Sequence, residues 1–177
     1  GNDVYYASAG DVIVENANEG LDRVLSDISW TLAPNLERLE LYGTGNINGT
    51  GNSLNNTFTG NSGINVFAGG AGDDTYGISA GDTVIEQANE GIDTVLSDAS
   101  YTLGANIENL TLIKNAGNAT GNDLNNRLTG NAGANVLTGG LGDDTYIVST
   151  GDTVVEKLNE GIDTVLSDVS WTLSANV

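Results

Sequence analysis

The sequence contains no cysteine, histidine or methionine, and only one proline, Pro34, among its 177 residues. The lack of cysteine excludes disulfides and thiol chemistry. Without histidine or cysteine, no Ser-His or Cys-His nucleophile arrangement can form. No apolar run approaches the ~20 residues of a membrane-spanning helix, and the chain does not open on a signal-peptide pattern. The fold must therefore be held together by something other than disulfides.

Positive charge is also scarce, with 5 Lys and Arg residues against 24 Asp and Glu, for a net charge of −19. A chain of this charge is not expected to bind the phosphates of nucleic acid or to insert into or bind an anionic membrane. Acidity can serve solubility alone. However, carboxylate and carbonyl oxygens are the ligands that hard divalent cations prefer, so the charge favours bound metal ions. Disorder is not expected, because 38% of the residues are hydrophobic and they recur regularly.

A repeat of about 70 residues runs through the chain. Residues 81–103 and 151–173 match at 18 of 23 positions, and a third copy lies at 10–32. No Pro-rich or charged linker interrupts the pattern, so we expect residues 1–177 to form one continuous array. Its cycles span 1–71, 72–141 and, in part, 142–177. Because the pattern is cut inside a repeat at both ends, we expect the array to be a piece of a longer protein.

Within each cycle lies a nine-residue repeat, as in GNSLNNTFT (51–59), GNSGINVFA (60–68) and GGAGDDTYG (69–77). The Gly- and Asn-rich half of each nonapeptide predicts a turn with positive φ. The large apolar residue at the eighth position predicts a short strand with one inward side chain. Two nonapeptides make a coil of ~18 residues, and stacked coils would pair in parallel around a thin core. Segments 100–103 and 106–112 predict slightly longer strands.

The nonapeptides GGAGDDTYG (69–77) and GGLGDDTYI (139–147) fit the pattern G-G-x-G-x-D-x-U-x, where U is a large apolar residue. With them, the chain resembles the RTX, or haemolysin-type calcium-binding, repeat family. The resemblance implies an all-β fold, a right-handed parallel β-roll or β-solenoid of stacked coils. It also implies several Ca²⁺ ions held between turns on the same side, by aspartates at the sixth position and by turn carbonyls.

The resemblance implies particular ligands. Sixth-position aspartates one coil apart should meet in pairs, Asp3 with Asp22, Asp74 with Asp93, and Asp144 with Asp163. The turns whose carbonyls would face the ions contain Gly70, Gly72, Gly140 and Gly142. Asn56 and Asn126 lie one coil before Asp74 and Asp144, and we expect weaker or absent calcium occupancy there because an amide oxygen carries no charge.

A purely structural interpretation of the same turns remains open, because Asn and Asp in Gly-rich turns often bond their own backbone or form metal-free ladders. We expect this role for Asp98 and Asp168. As calcium ligands, Asn65 and Asn135 are weaker candidates still. Asp82 and Asp152, one coil on, are possible substitutes for them. Glu86 and Glu156 each follow a residue that we expect to face inward, so we expect these glutamates to face solvent. Three aromatic residues share one repeat position and predict a core or core-edge role, with a glycan-stacking surface as the alternative: Trp30, Tyr101 and Trp171.

Nothing in the sequence indicates a catalytic site. Carboxylate pairs like those of glycosidases are present, but they recur with the scaffold, and no Gly-rich run is followed by GK[ST]. We expect a non-enzymatic, calcium-stabilised stalk, fibre or surface-layer element of a secreted or cell-surface bacterial protein, with self-association possible. One alternative is the calcium-dependent folding and secretion module of an extracellular hydrolase, for which the resemblance implies type I secretion. A second alternative is a glycan-binding adhesin segment.

Overall fold

The computed structural model describes residues 1–177 and contains strands and turns but no helix. It therefore has no helix that is long and apolar enough to cross a membrane. The strands are β1 (Val4–Ala7), β2 (Arg23–Ser26), β3 (Trp30–Thr31), β4 (Arg38–Leu41), β5 (Gly49–Thr50), β6 (Thr57–Thr59), β7 (Val66–Ala68), β8 (Thr75–Ile78), β9 (Thr83–Val84), β10 (Thr94–Ser97), β11 (Tyr101–Thr102), β12 (Asn109–Leu112), β13 (Asn118–Thr120), β14 (Arg127–Thr129), β15 (Val136–Thr138), β16 (Thr145–Val148), β17 (Thr153–Val155) and β18 (Thr164–Ser167).

The chain divides into two compact units, of which the first is Gly1–Asp93. Here β1, β2, β4, β6 and β8 form one parallel sheet, and β3, β5, β7 and β9 form another. The register of the first sheet joins matching positions from coil to coil: Tyr5 with Val24, Val24 with Leu39, Leu39 with Phe58, and Phe58 with Tyr76. Each strand thus pairs with the strand one coil later, as winding around a common core requires.

The second unit is Thr94–Val177. Its parallel sheets are β10, β12, β14, β16 and β18, and β11, β13, β15 and β17. The register of its first sheet follows the same plan: Val95 with Leu110, Leu110 with Leu128, Leu128 with Tyr146, and Tyr146 with Val165. The extra residue of the first long cycle lies in the connection from β4 to β6, which is longer than the equivalent connection from β12 to β14.

The core of each unit is built from the eighth-position residues, all of which are 0% exposed: Phe58, Phe67, Tyr76, Leu128, Leu137 and Tyr146. In the first unit the rings of Phe58 and Tyr76 stack with their centroids 5.1 Å apart, and Phe67 packs at a tilt 5.4 Å from Phe58. Stacking at the coil spacing turns one inward side chain per nonapeptide into a continuous apolar column.

The predicted all-β fold of stacked parallel coils is confirmed, with two differences in detail. Segment 100–103 contributes only the short strand β11. One coil in each unit is shorter than two nonapeptides, since Arg23 pairs with Arg38 and Thr94 pairs with Asn109. Segment 106–112 does contain a longer strand, β12. That residues 1–177 form a single continuous array stays a prediction.

Candidate metal centre

The candidate site lies where a strict nonapeptide turn stacks against a turn of different sequence one coil later. The turn 69–74, GGAGDD, lies between β7 and β8, and the turn 86–93, EQANEGID, follows β9 one coil later. Gly70 and Gly72 have φ of 88° and 117°, and a Cβ on Gly72 would lie 2.7 Å from the Leu54 carbonyl oxygen of the preceding coil. Glycine is therefore required by both backbone conformation and coil spacing. Gly140 and Gly142 repeat the arrangement, with φ of 104° and 107°.

Sixth-position side chains form a ladder along each unit. The backbone N–H of Asn56 donates to Oδ1 of Asp74 at 2.6 Å, and the N–H of Asp74 donates to Oδ1 of Asp93 at 2.9 Å. In the second unit, the N–H of Asp144 donates to Oδ1 of Asp163 at 3.0 Å. Each aspartate thus uses one oxygen to hold the neighbouring coil. The other oxygen of Asp144 and of Asp163 is buried and has no hydrogen-bond partner.

The structure brings together the aspartate pairs expected from the sequence and adds a glutamate to each. One oxygen from each of Asp74, Glu86 and Asp93 lies within 4.8 Å of the others, and all three residues are buried. In the second unit, one oxygen from each of Asp144, Glu156 and Asp163 likewise lies within 4.8 Å of the others. Asp144 and Glu156 are buried, and Asp163 is half-buried. No ion pair joins any member of this second cluster to a cation.

The electrostatics of both clusters oppose three ionised carboxylates. Burial, followed by the charges of Asp93 and Glu86, raises the pKa of Asp74 to about 7, although the Asn56 N–H partly opposes the rise. Burial likewise raises the pKa of Asp144 to about 7, and it raises the pKa of Glu86 and Glu156. Two unit charges 4–5 Å apart repel by about 3–4 kcal/mol at an effective dielectric of ~20. All three carboxylates of a cluster can therefore be ionised together only with a bound cation.

A third, more open cluster occupies the matching position near the start of the chain. Asp3, Glu15 and Asp22 again place oxygens within 4.8 Å of one another, but Asp3 is exposed and Glu15 half-buried. The Asp3 N–H donates to Oδ1 of Asp22 at 2.6 Å, as in the other pairs. Solvent screens these charges more effectively, so this cluster requires a cation less than the other two.

The Asn turns use their side chains differently. Oδ1 of Asn126 accepts the N–H of Asn122 at 2.7 Å, while its Nδ2 donates to the Ile107 carbonyl at 3.1 Å. Asn56 makes the equivalent bonds to Asn52 and Leu36, at 2.8 and 3.1 Å. The amide nitrogen thus donates to a carbonyl of the preceding coil without any metal. This geometry suits the turn-stabilising interpretation, whereas weaker or absent calcium occupancy at Asn56 and Asn126 stays a prediction.

Asp82 and Asp152 lie one coil after Asn65 and Asn135, as the sequence suggested. Oδ1 of Asp82 accepts the Asn65 N–H at 2.8 Å and its Oδ2 accepts the Ser79 N–H at 2.8 Å. Asp152 makes the same bonds to Asn135 and Ser149, at 2.9 and 2.7 Å. Both oxygens are therefore committed to backbone donors, which is a turn-capping role.

The remaining candidates lie away from the acidic clusters. Asp98 pairs with Lys114 at 2.6 Å, and Asp168 is exposed. The rings of Trp30, Tyr101 and Trp171 are half-buried, and the indole nitrogens of both tryptophans are inaccessible to solvent. These aromatic residues thus sit at the edge of the core, as their regular spacing predicts.

The expectation that Glu86 and Glu156 face solvent was wrong, since they are only 4% and 7% exposed. Oε1 of Glu86 accepts hydrogen bonds from the Tyr76 hydroxyl and from the Gly69 N–H, the latter at 3.0 Å. Glu156 repeats this with its own tyrosine and glycine. A signal existed in the sequence, because a tyrosine precedes this glutamate at the same spacing in all three copies.

The residues present fit a calcium ion. Each buried cluster offers only oxygen donors, holds excess negative charge, and contains buried carboxylate oxygens such as Oδ2 of Asp74 and Asp144 with no hydrogen-bond donor. Calcium takes 6–8 oxygen ligands with flexible geometry, whereas Mg²⁺ demands a stricter octahedron and retains water. The predicted contribution of the carbonyls around Gly70, Gly72, Gly140 and Gly142 stays a prediction.

Comparison with known families agrees with this donor chemistry. The RTX calcium-binding nonapeptide repeat matches in four copies, at residues 50–85 and 120–155. The matched segments include Asp74 and Asp144 and end just before Glu86 and Glu156. Neither curated proteins nor solved structures gave a significant match. The chain is thus a β-solenoid in which segments 50–85 and 120–155 match the RTX calcium-binding nonapeptide repeat.

Proposed function

We propose that this chain is a calcium-loaded structural module of a secreted or cell-surface protein, in which calcium binding and folding are coupled. The observation that carries the proposal is the pair of buried three-carboxylate clusters, Asp74–Glu86–Asp93 and Asp144–Glu156–Asp163. A divalent cation would remove the repulsion within each cluster and join one coil to the next. Binding free energy would then become folding free energy.

An extracellular setting suits this chemistry. Extracellular calcium modules typically bind with a Kd of ~10⁻⁴–10⁻³ M, well above cytosolic calcium levels. A chain that tunes its clusters to that range would stay largely unfolded until it reached millimolar calcium. Such a chain would leave the cell unfolded and fold outside it, where it would serve as a stalk, fibre or surface-layer element.

Non-catalytic action is part of the proposal. The carboxylates of the two clusters are buried between coils, which leaves a substrate little access, and the arrangement repeats with the scaffold. The folding module of an extracellular hydrolase remains the alternative. Additional long cycles in the flanking sequence would favour the structural array, whereas a neighbouring catalytic domain would favour the alternative. Half-burial of the shared aromatic position gives little support to a glycan-stacking surface.

A calcium titration followed by far-UV circular dichroism tests the proposal, with magnesium as the control ion. We expect a cooperative transition from coil to β structure that is specific to calcium. The double variant Asp74→Asn/Asp144→Asn should shift the midpoint to higher calcium. The matched double variant Asp27→Asn/Asp168→Asn removes the same charge from exposed turns and should leave the midpoint unchanged. A wild-type β spectrum that does not respond to chelator would refute coupled folding.

A further inference from the structure

Each acidic cluster contains one carboxylate that the nonapeptide pattern does not supply. Glu156 follows β17, just outside the family-matched segment, yet it is 7% exposed and places an oxygen within 4.8 Å of those of Asp144 and Asp163. Its Oε2 is buried and has no hydrogen-bond partner. An isolated buried carboxylate oxygen is costly unless a donor or a cation satisfies it.

The other oxygen of this glutamate is held on two sides. Oε1 of Glu156 accepts the N–H of Gly139 at 3.0 Å and the hydroxyl of Tyr146. A Cβ on Gly139 would overlap Oδ2 of Asp144 and the Tyr146 hydroxyl, so glycine at this position gives the cluster its space. The two donors fix the orientation of the carboxylate, while its second oxygen stays buried without a donor.

Tyrosine at the eighth position accompanies the glutamate. The preceding nonapeptides carry Phe58, Phe67, Leu128 and Leu137 there, all fully buried. Tyrosine holds this position in the three repeats that are followed ten residues later by a glutamate, as Tyr5, Tyr76 and Tyr146. A phenyl ring or an aliphatic chain satisfies the core equally well, so packing does not explain the hydroxyl.

We infer that Glu86 and Glu156 are third acidic calcium ligands and that Tyr76 and Tyr146 are positioning residues that hold them. This inference rests on the proposed calcium binding and extends it. The hydroxyl and the glycine N–H bind Oε1, and Oε2 faces the ion. Each site then has three carboxylates, and a higher ligand charge raises calcium affinity. The glutamate also ties a residue outside the nonapeptides to the ion, so the ion links the end of one strand to the turn of the coil before it.

Isothermal titration of the full chain with calcium chloride tests the inference, since the Asp74 cluster provides an internal reference for changes at the Asp144 cluster. In Glu156→Gln we expect one of the two tight ions to bind about 10-fold more weakly or worse, as for groups that tune a metal site. Tyr146→Phe should weaken the same ion, while the other ion is unaffected. Asp168→Asn, which removes a charge from an exposed turn, should bind as the wild type does.

A double-mutant cycle separates positioning from packing. If Tyr146 acts through Glu156, Tyr146→Phe should cause no further loss of affinity in the Glu156→Gln background, whereas an independent packing effect would add to the loss. Phenylalanine should fold at this position, since Phe58 and Phe67 occupy equivalent sites. Tyr146→Phe therefore remains informative if Glu156→Gln fails to fold at saturating calcium.

The outcomes distinguish the two claims. Absence of calcium binding by the wild-type chain would overturn the proposed function itself. Tight binding that is weakened by Asp144→Asn but unchanged in both Glu156→Gln and Tyr146→Phe would leave the proposed function standing and overturn the inference. An additive loss in the double variant would reject positioning by Tyr146.

Discussion

In the absence of calcium, the chain should become less stable as the pH is raised from 5 to 8. Burial raises the pKa of Asp74 and of Asp144 from 3.8 to about 7 in the folded chain. Between these values the folded state binds more protons than the unfolded state, so stability falls as the pH rises. The stabilisation that these two carboxyls give the folded chain is fully present below about pH 4, where they are protonated in both states. It is lost above about pH 7.

The magnitude follows from the size of the shift. A change of about 3 pKa units corresponds to about 4 kcal/mol per site, of which roughly 2.5 kcal/mol falls between pH 5 and 8. Since whole domains are stable by only ~5–15 kcal/mol, this loss should be large enough to unfold part of the population. Calcium binds the deprotonated form, so its apparent affinity should rise with pH and level off above about pH 7.

The assay is far-UV circular dichroism in chelator at pH 5 to 8, with urea titration wherever β structure persists. The double variant Asp74→Asn/Asp144→Asn should flatten the pH dependence, because an amide does not titrate. Asp27→Asn/Asp168→Asn controls for the general repulsion of an acidic chain. A metal-free wild type that is equally or more stable at pH 8 than at pH 5 would refute the inference that burial raises the pKa of Asp74 and Asp144 in the folded chain.

Three further substitutions probe the coil contacts. Gly69→Ala would push a methyl group into the cluster carboxylate and tyrosine hydroxyl, so it should cost about 1–3 kcal/mol and weaken calcium binding; Gly77→Ala, with its nearest contact at 3.4 Å, should be much milder in the same titrations. Asn126→Ala removes the amide that bonds two coils and should cost about 1–3 kcal/mol in urea unfolding, whereas Asn115→Ala, at an exposed position, should be near neutral. Phe58→Ala empties a fully buried core position and should lower stability by about 3–5 kcal/mol at saturating calcium; a loss below about 1 kcal/mol would contradict the stacked column.

Much of the architecture could be predicted because the nonapeptide is a local code repeated many times. A large side chain at every eighth position predicted the buried column of Phe58 and Tyr76. Glycines such as Gly70 and Gly72 predicted turns with positive φ. Once two nonapeptides make one coil, residues one coil apart stack, and the family resemblance marked the sixth-position aspartates as ligands, so the Asp74–Asp93 pairing could be expected.

The glutamates were misplaced for an equally physical reason. The residues before them, Ile85 and Val155, were expected to face inward, but they are 48% and 42% exposed, whereas Val84 and Val154 are 3% and 2% exposed. Because side chains alternate along an extended chain, the inward Val84 and Val154 place Glu86 and Glu156 on the same buried side.

The sequence by itself therefore determined the coil and its apolar column, because both follow from a local period. Its resemblance to a known repeat family added the aspartates that face each other between stacked turns. Only the tertiary structure decided which oxygens are buried and where the third carboxylate lies. Glu86 turns inward because Gly69 leaves space and the Tyr76 hydroxyl, one strand away, donates to it. That contact depends on the stacking of whole coils, and no single nonapeptide encodes it.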